Sequence, residues 1–314
     1  MNSSSLVTDE SVPAVGLPIF DADRATASMH VRLESVDDHV AVFTQQVQDW
    51  QRGPDGAISL AALGPMVDAA VGSAPYLSAG GTRNFVMSSL SATFVAGVGD
   101  DDTVRAQSRR VDVDRRTDTV ASVAEVHGDA GLIAVVTCRA VPVERVLRDA
   151  VTVSPHHGLQ TVDESGTRPA TPAAGAPGTA DTADTATTLR SSVFAVVLGL
   201  EIAESTTASV SGTWTTAPWM LNPFDTVQGG VVLAVVTEAA QLALAGITSA
   251  DEVIGLTEIS VDLLRSPAAS TTYDWSVSFL RIGRRMVTMA VTVTGTDGRE
   301  QARATCTAFR VRRD

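Results

Sequence analysis

The sequence predicts an α+β protein built twice over, each half a long buried helix laid against a curved antiparallel sheet. Three observations predict it. The stretch Val231–Leu244 (VVLAVVTEAAQLAL) is apolar on nearly every side, broken only by Thr237, Glu238 and Gln241 at helical spacings. Strand-like runs bounded by turn signals lie on both sides of it. The order of elements before residue 150 returns after residue 190.

In chain order, residues 1–27 read as a loosely ordered N-terminal segment. His30–Trp50 alternates partly, as strands do, and Gly53-Pro-Asp-Gly56 marks a turn. Ala57–Leu77 reads as helical, with Asp68 alone among apolar neighbours. Pro65 must start a helix there or kink one. Strand runs follow: NFVMSSLSATFVAG, TVRAQSRRVDVD, TVASVAEVHG and LIAVVTCRAVPV. Residues 150–189 are rich in Ala, Thr, Pro, Gly and Asp, a composition that cannot bury enough surface to offset chain entropy, so a flexible linker is expected.

From residue 190 the pattern repeats. VFAVVLGLEIAE and ASVSGTWTTAPWM precede the core helix; VIGLTEISVDLL, YDWSVSFLRIG, RRMVTMAVTVTG and QARATCTAFRVR follow it. Arg115-Arg116 recurs as Arg284-Arg285, and Thr137-Cys138 as Thr305-Cys306, offsets of 169 and 168 residues. The expected domains are therefore 28–149 and 190–314, each with one helix and about five strands.

Composition narrows the function. The formal net charge is -13, and the sequence holds no Lys, so no basic block exists to neutralise phosphates, and a nucleic-acid partner is not expected. Two cysteines make no disulfide framework or metal cluster. The opening MNSSSLVTDESVPAVG has no basic start followed by an apolar run. Neither signal peptide nor membrane partner is expected, and the expected compartment is the cytoplasm. A carboxylate and an amide inside the core helix argue against a membrane span.

The chemistry-bearing stretch is Asn222-Pro-Phe-Asp-Thr-Val-Gln-Gly-Gly230, which runs into the core helix. Glycines at a helix start expose backbone N–H groups that carry the positive end of the helix dipole. That arrangement suits an anion or a polarised carbonyl oxygen. Asp68 admits two readings from its residues alone: a base or nucleophile, or a capping carboxylate near the Pro65 helix start. Asn222 could build the oxyanion loop or a plain turn.

The element order and the Asn222-Pro-Phe-x-x-x-x-Gly-Gly230 segment resemble hotdog-fold acyl-CoA thioesterases of the PaaI type, over residues 28–145 and 190–312. The resemblance implies a double hotdog, a fused pair with the helix as sausage and the sheet as bun. The family pattern is N-x-x-G-x-x-H-G-G with an acid nine residues after the His. Here Gln228 stands for the His, Asp225 for the Gly, and Thr237 for the acid, with Glu238 one place on. In the first half Asp68 holds the acid's place, while Ser59 and Leu60-Ala61 replace the His-Gly-Gly.

The resemblance therefore implies one competent site between the halves. Asp68, Asn222 and Gly229 are its expected catalytic residues; Gln228, Gly230 and Arg265 are its expected substrate contacts. Its mirror image, Ser59 and Leu60 with Thr237, should be degenerate. Glu238 is expected at the helix–sheet edge beside Gln241, paired or solvated. The expected reaction is hydrolysis of an acyl-CoA thioester to acid and free CoA, with no cofactor and no metal; a homodimer of double hotdogs is compatible with it. The alternatives are a non-catalytic acyl-thioester-binding or scaffold protein, and a hotdog-fold enoyl-CoA hydratase.

Overall fold

The computed structural model describes residues 20, 23–37, 40–52, 57–97, 103–144 and 192–312. The expected linker, 150–189, lies outside the described residues. The first half contains α1 (Arg24–Ser28), β1 (Val31–Asp37), β2 (Val40–Gln46), α2 (Gly64–Ser78), β3 (Asn84–Phe94), β4 (Thr103–Asp114), β5 (Thr119–Gly128) and β6 (Gly131–Val143). The second half repeats it: α3 (Val193–Val197), β7 (Leu200–Ser205), β8 (Ser209–Thr215), α4 (Gly229–Ile247), β9 (Glu252–Leu263), β10 (Thr272–Ile282), β11 (Met286–Thr294) and β12 (Glu300–Arg312). Among the described residues each half has six strands rather than about five.

All twelve strands form one antiparallel sheet, in the order β1-β2-β4-β5-β6-β3-β9-β12-β11-β10-β8-β7. The halves join edge to edge through β3 and β9, whose register pairs Ser91 with Ser260. Those hydroxyls lie 2.8 Å apart and 169 residues apart in sequence. The sequence repeat is thus a structural pseudo-dyad that passes between them.

Alternation decides which face of the sheet is inside. Along β11, Val287, Met289, Val291 and Val293 are buried beneath α4, while the residues between them are half-buried. Helix α4 is long and apolar enough to cross a bilayer by composition, but 78% of that apolar window is buried within the fold. An all-round apolar helix belongs in such a core.

Two local details follow from backbone chemistry. Pro75 lies inside α2 and has no N–H, so the carbonyl four residues back, Val71, lacks its helical donor. The Ser122 hydroxyl on β5 donates to that carbonyl at 2.6 Å. The run VFAVV, at the start of the second half, forms helix α3. Ser192 caps it, its hydroxyl accepting the Ala195 N–H at 2.9 Å, so the cap overrides a weak strand preference.

The two long helices meet at their N-termini. A Cβ on Gly64 would come 2.2 Å from the Gly230 carbonyl oxygen, and one on Gly230 would come 2.3 Å from the Gly64 carbonyl oxygen. Only two glycines permit that approach. It sets the first turn of α4 directly over Asp68.

The short helices cross between halves. Arg24 of α1 donates its N–H to the Leu221 carbonyl at 3.1 Å, and Trp50 stacks on Phe194 of α3 with centroids 6.0 Å apart. Each half thus lays its first helix against the other.

Candidate active site

A cavity of about 530 Å³ opens between the halves, lined by Phe20, Asp23, Asp68, Phe85 and Met87 from one and by Asn222, Phe224, Gln228, Gly229, Leu263 and Arg265 from the other. Five of the six expected site residues therefore face one space. Gly230 is the exception.

Asp68 sits just inside α2 and is 8% exposed. Its Oδ2 accepts the Gly230 N–H at 2.5 Å. This corrects the expected role of Gly230, whose donor is spent on the acid and which has no place in the cavity wall. Gly229 precedes it at the helix start, half-buried, and among the described residues no acceptor takes its N–H. Desolvation by burial, then the nearby Asp23 carboxylate, push the Asp68 pKa well above its ordinary value, against the lowering effect of the Gly230 bond. A base strengthened in this way suits proton abstraction near neutrality.

Asn222 holds the turn that precedes the helix. Its Oδ1 accepts from the Phe224 N–H at 2.9 Å and the Thr226 N–H at 3.3 Å, and from the Thr226 hydroxyl at 3.2 Å. Its oxygen is therefore structural, and only the amide nitrogen is left to face a ligand. Arg265 is exposed at the rim, with Nη1 donating to the Glu300 carbonyl.

Gln228 is 1% exposed. Its Nε2 donates to Asp23 Oδ2 at 2.8 Å, and among the described residues its Oε1 has no partner. A buried acceptor without a donor is costly. Asp23 was missed in the sequence because it falls in the segment read as loosely ordered. It is in fact the N-cap of α1, its Oδ1 accepting the Thr26 N–H at 3.0 Å. Carrying the 169-residue offset upstream would have paired it with Ser192, the N-cap of α3.

The mirror position is closed by its own polar groups. Glu238 is 3% exposed; it accepts from the Ser192 hydroxyl and, at 3.2 Å, from the Ser59 hydroxyl. It is paired and buried, not solvated. The Thr237 hydroxyl donates to the Leu233 carbonyl of its own helix at 2.7 Å, and a hydroxyl is far too weak a base to replace a carboxylate. Among the described residues no cluster of His, Cys, Asp and Glu could hold a metal ion.

The fold and the between-halves site define a double hotdog protein. The chain aligns over 94% of its length with the tesB protein of Mycobacterium avium subs paratuberculosis, covering 99% of that chain at 15% identity and a TM-score of 0.56. It covers 97% of the acyl-CoA thioesterase II TesB2 of Mycobacterium marinum with 92% of its own length, at 8% identity and TM-score 0.53. For a putative oleoyl thioesterase of Lactobacillus plantarum the shares are 97% and 87%, at 11% identity and TM-score 0.53. Residues 215–309 match the family model of the acyl-CoA thioesterase N-terminal domain. The second half is thus similar to an acyl-CoA thioesterase domain. Two of these three structures are TesB proteins, and none of the three is named as the narrower PaaI type. No curated protein matches the chain.

Proposed function

We propose that the chain hydrolyses an acyl-CoA thioester at one site between its halves, with Asp68 as general base. The observation that carries this reading is the juxtaposition of Asp68 from the first half with the open helix start of the second, inside one cavity. In the proposed step a water adds to the thioester carbon and gives a proton to Asp68. The carbonyl oxygen becomes an oxyanion that accepts the Gly229 N–H, where the α4 dipole favours negative charge. Collapse breaks the C–S bond, the sulfur takes the proton back, and the free acid and CoA leave. The exposed Arg265 at the rim would meet the phosphates of CoA.

The test is thiol release from a panel of acyl-CoA substrates, with Asp68→Asn as the control. Asn keeps the size and an oxygen for the Gly230 N–H but loses the basic atom. Turnover that depends on Asp68 supports hydrolysis. Binding of CoA analogues with no turnover in the natural chain would instead establish the binding-protein alternative. Hydration of an enoyl-CoA would establish the hydratase.

A further inference from the structure

Gly72 stands in the middle of α2, one turn after Asp68 and on the same face. Glycine weakens a helix interior relative to alanine, so its presence needs a reason. Neither usual reason holds. Its backbone is helical, and no neighbour presses on it. A Cβ there would meet Asp68 Oδ1 and Met87 Cε, each at 3.8 Å, and, its own helix's backbone aside, no other atom of the described residues within 4 Å.

The room beside Gly72 belongs to the cavity, whose wall Gly72 joins. The second half makes the contrast. The counterpart 169 residues on is Gln241, which follows Thr237 by four residues as Gly72 follows Asp68. Its Oε1 takes the Ser59 hydroxyl of the other half at 3.4 Å. There a long side chain reaches across; here none does.

The cavity has two unlike walls. Both of its side-chain amides, Asn222 and Gln228, and its one cation, Arg265, come from the second half. Apart from Asp23, Asp68 and Ser88, the first half contributes only apolar lining, chiefly Phe85, Val86, Met87, Ala140 and Val141 with Gly72. The Ser88 hydroxyl donates to the Arg139 carbonyl at 3.1 Å. This apolar wall lies where the halves part: β3 pairs with β9 over residues 89–93, whereas residues 84–87 pair with β6 alone, past a register shift between Met87 and Ser89. Met87 Cε would also lie 3.7 Å from a Cβ on Gly229. Its methyl therefore stands between the start of α4 and Gly72.

We propose that the acyl chain leaves the thioester carbon over Met87 and Gly72, and that these two residues select uncharged aliphatic acyl groups larger than acetyl. The inference rests on the thioesterase reading above and names its substrate class. Length enters because each methylene laid on an apolar wall leaves water. Gly72 leaves the room for it, and Met87, unbranched and flexible, adapts to it. Charge enters because the lining holds two carboxylates, Asp23 and Asp68, while Arg265 is exposed at the rim. An acyl group carrying its own carboxylate would be buried there without a partner.

The experiment measures thiol release from acetyl-, octanoyl- and succinyl-CoA by the natural chain, Gly72→Ala and Gly72→Leu. The natural kcat/KM should be at least about tenfold higher for octanoyl than for acetyl, and lowest for succinyl. Gly72→Ala has room for its methyl and is the better helix former. It should melt higher than the natural chain, yet lose octanoyl preference on the order of tenfold. Gly72→Leu should lose more, and Met87→Ala added to it should restore part of the preference by opening the facing side. A folded Gly72→Leu with the natural octanoyl-to-acetyl ratio overturns the proposal, and so does a natural chain that prefers acetyl- or succinyl-CoA. If the natural chain releases no thiol from any of the three, the hydrolysis reading fails. Binding of ethyl- and octyl-CoA thioethers then decides the acyl path by itself. A loss in Gly72→Leu at least about tenfold larger for octyl than for ethyl supports it; an equal change in both overturns it.

Discussion

Asp68 Oδ2 takes the Gly230 N–H at 2.5 Å, across 162 residues of sequence and from one half of the molecule to the other. One carboxylate thereby caps the second core helix and stands beside the Gly229 N–H, which takes no acceptor among the described residues. The proposed base and oxyanion donor would thus be held on one contact between two helices, as preorganised catalysis requires.

Asp68→Asn should lower turnover by roughly a hundred- to ten-thousandfold, the usual worth of a positioned general base, and leave binding of a non-hydrolysable CoA thioether largely intact. Thr237→Val and Glu238→Gln, at the mirror position, should change turnover little. Steady-state kinetics on the three variants separates the halves. Loss in Glu238→Gln with activity kept in Asp68→Asn would place the base in the other half.

The rate should depend on pH through Asp68. The base acts only when deprotonated, and its pKa is raised, so kcat/KM should climb with pH through a limb well above the ordinary carboxylate value of 3.8. Stability should run the other way. The folded state binds the proton more tightly than the unfolded chain, so stability is greatest at low pH and declines as pH rises from the unfolded value through the folded one. Asp68→Asn should remove both dependences in part, as read from pH–rate profiles and from melting at a series of pH values.

Gly230→Ala should disrupt the helix crossing. The added methyl would lie 2.3 Å from the Gly64 carbonyl oxygen and 2.6 Å from the Asp68 Cβ, and backbone cannot step aside as a side-chain tip can. A loss of about 3 kcal/mol or more is expected, at the upper end for overpacking, measured by denaturant unfolding. A variant as stable as the natural chain would show that the helices cross more loosely.

Ser122→Ala should cost about 1–3 kcal/mol, the penalty for leaving a buried acceptor unmet. The acceptor is the Val71 carbonyl, orphaned by Pro75 and served by the Ser122 hydroxyl at 2.6 Å. The combined variant Ser122→Ala, Pro75→Ala should recover part of that loss, since an N–H at position 75 restores the helical donor. Thermal melting of both variants reads the difference.

The repeat, the two core helices and the pairing of an acid in one half with a glycine loop in the other were legible in the sequence. The repeat and the helices rest on periodicity and residue order, the pairing rests on the resemblance to hotdog-fold thioesterases, and the cores follow because apolar alternation dictates which face turns inward. The short helix at Val193–Val197 was not legible, because three of its five residues are valines and only the Ser192 cap marks a helix.

By itself, then, the sequence determined the double α+β architecture and placed Asp68, Gln228 and Gly229 among the residues worth watching. Only the tertiary structure decided that Asp68 binds Gly230 rather than standing apart from it. Only the structure turned the Asn222 oxygen into its own loop, sealed Glu238 between two serines and brought Asp23 to Gln228. The physical reason is that each of these is a contact between segments far apart in the chain. Local pattern fixes which face of a helix is buried; the partner that a buried polar atom finds there depends on how helices and sheet close around it, with no slack for a group left unpaired.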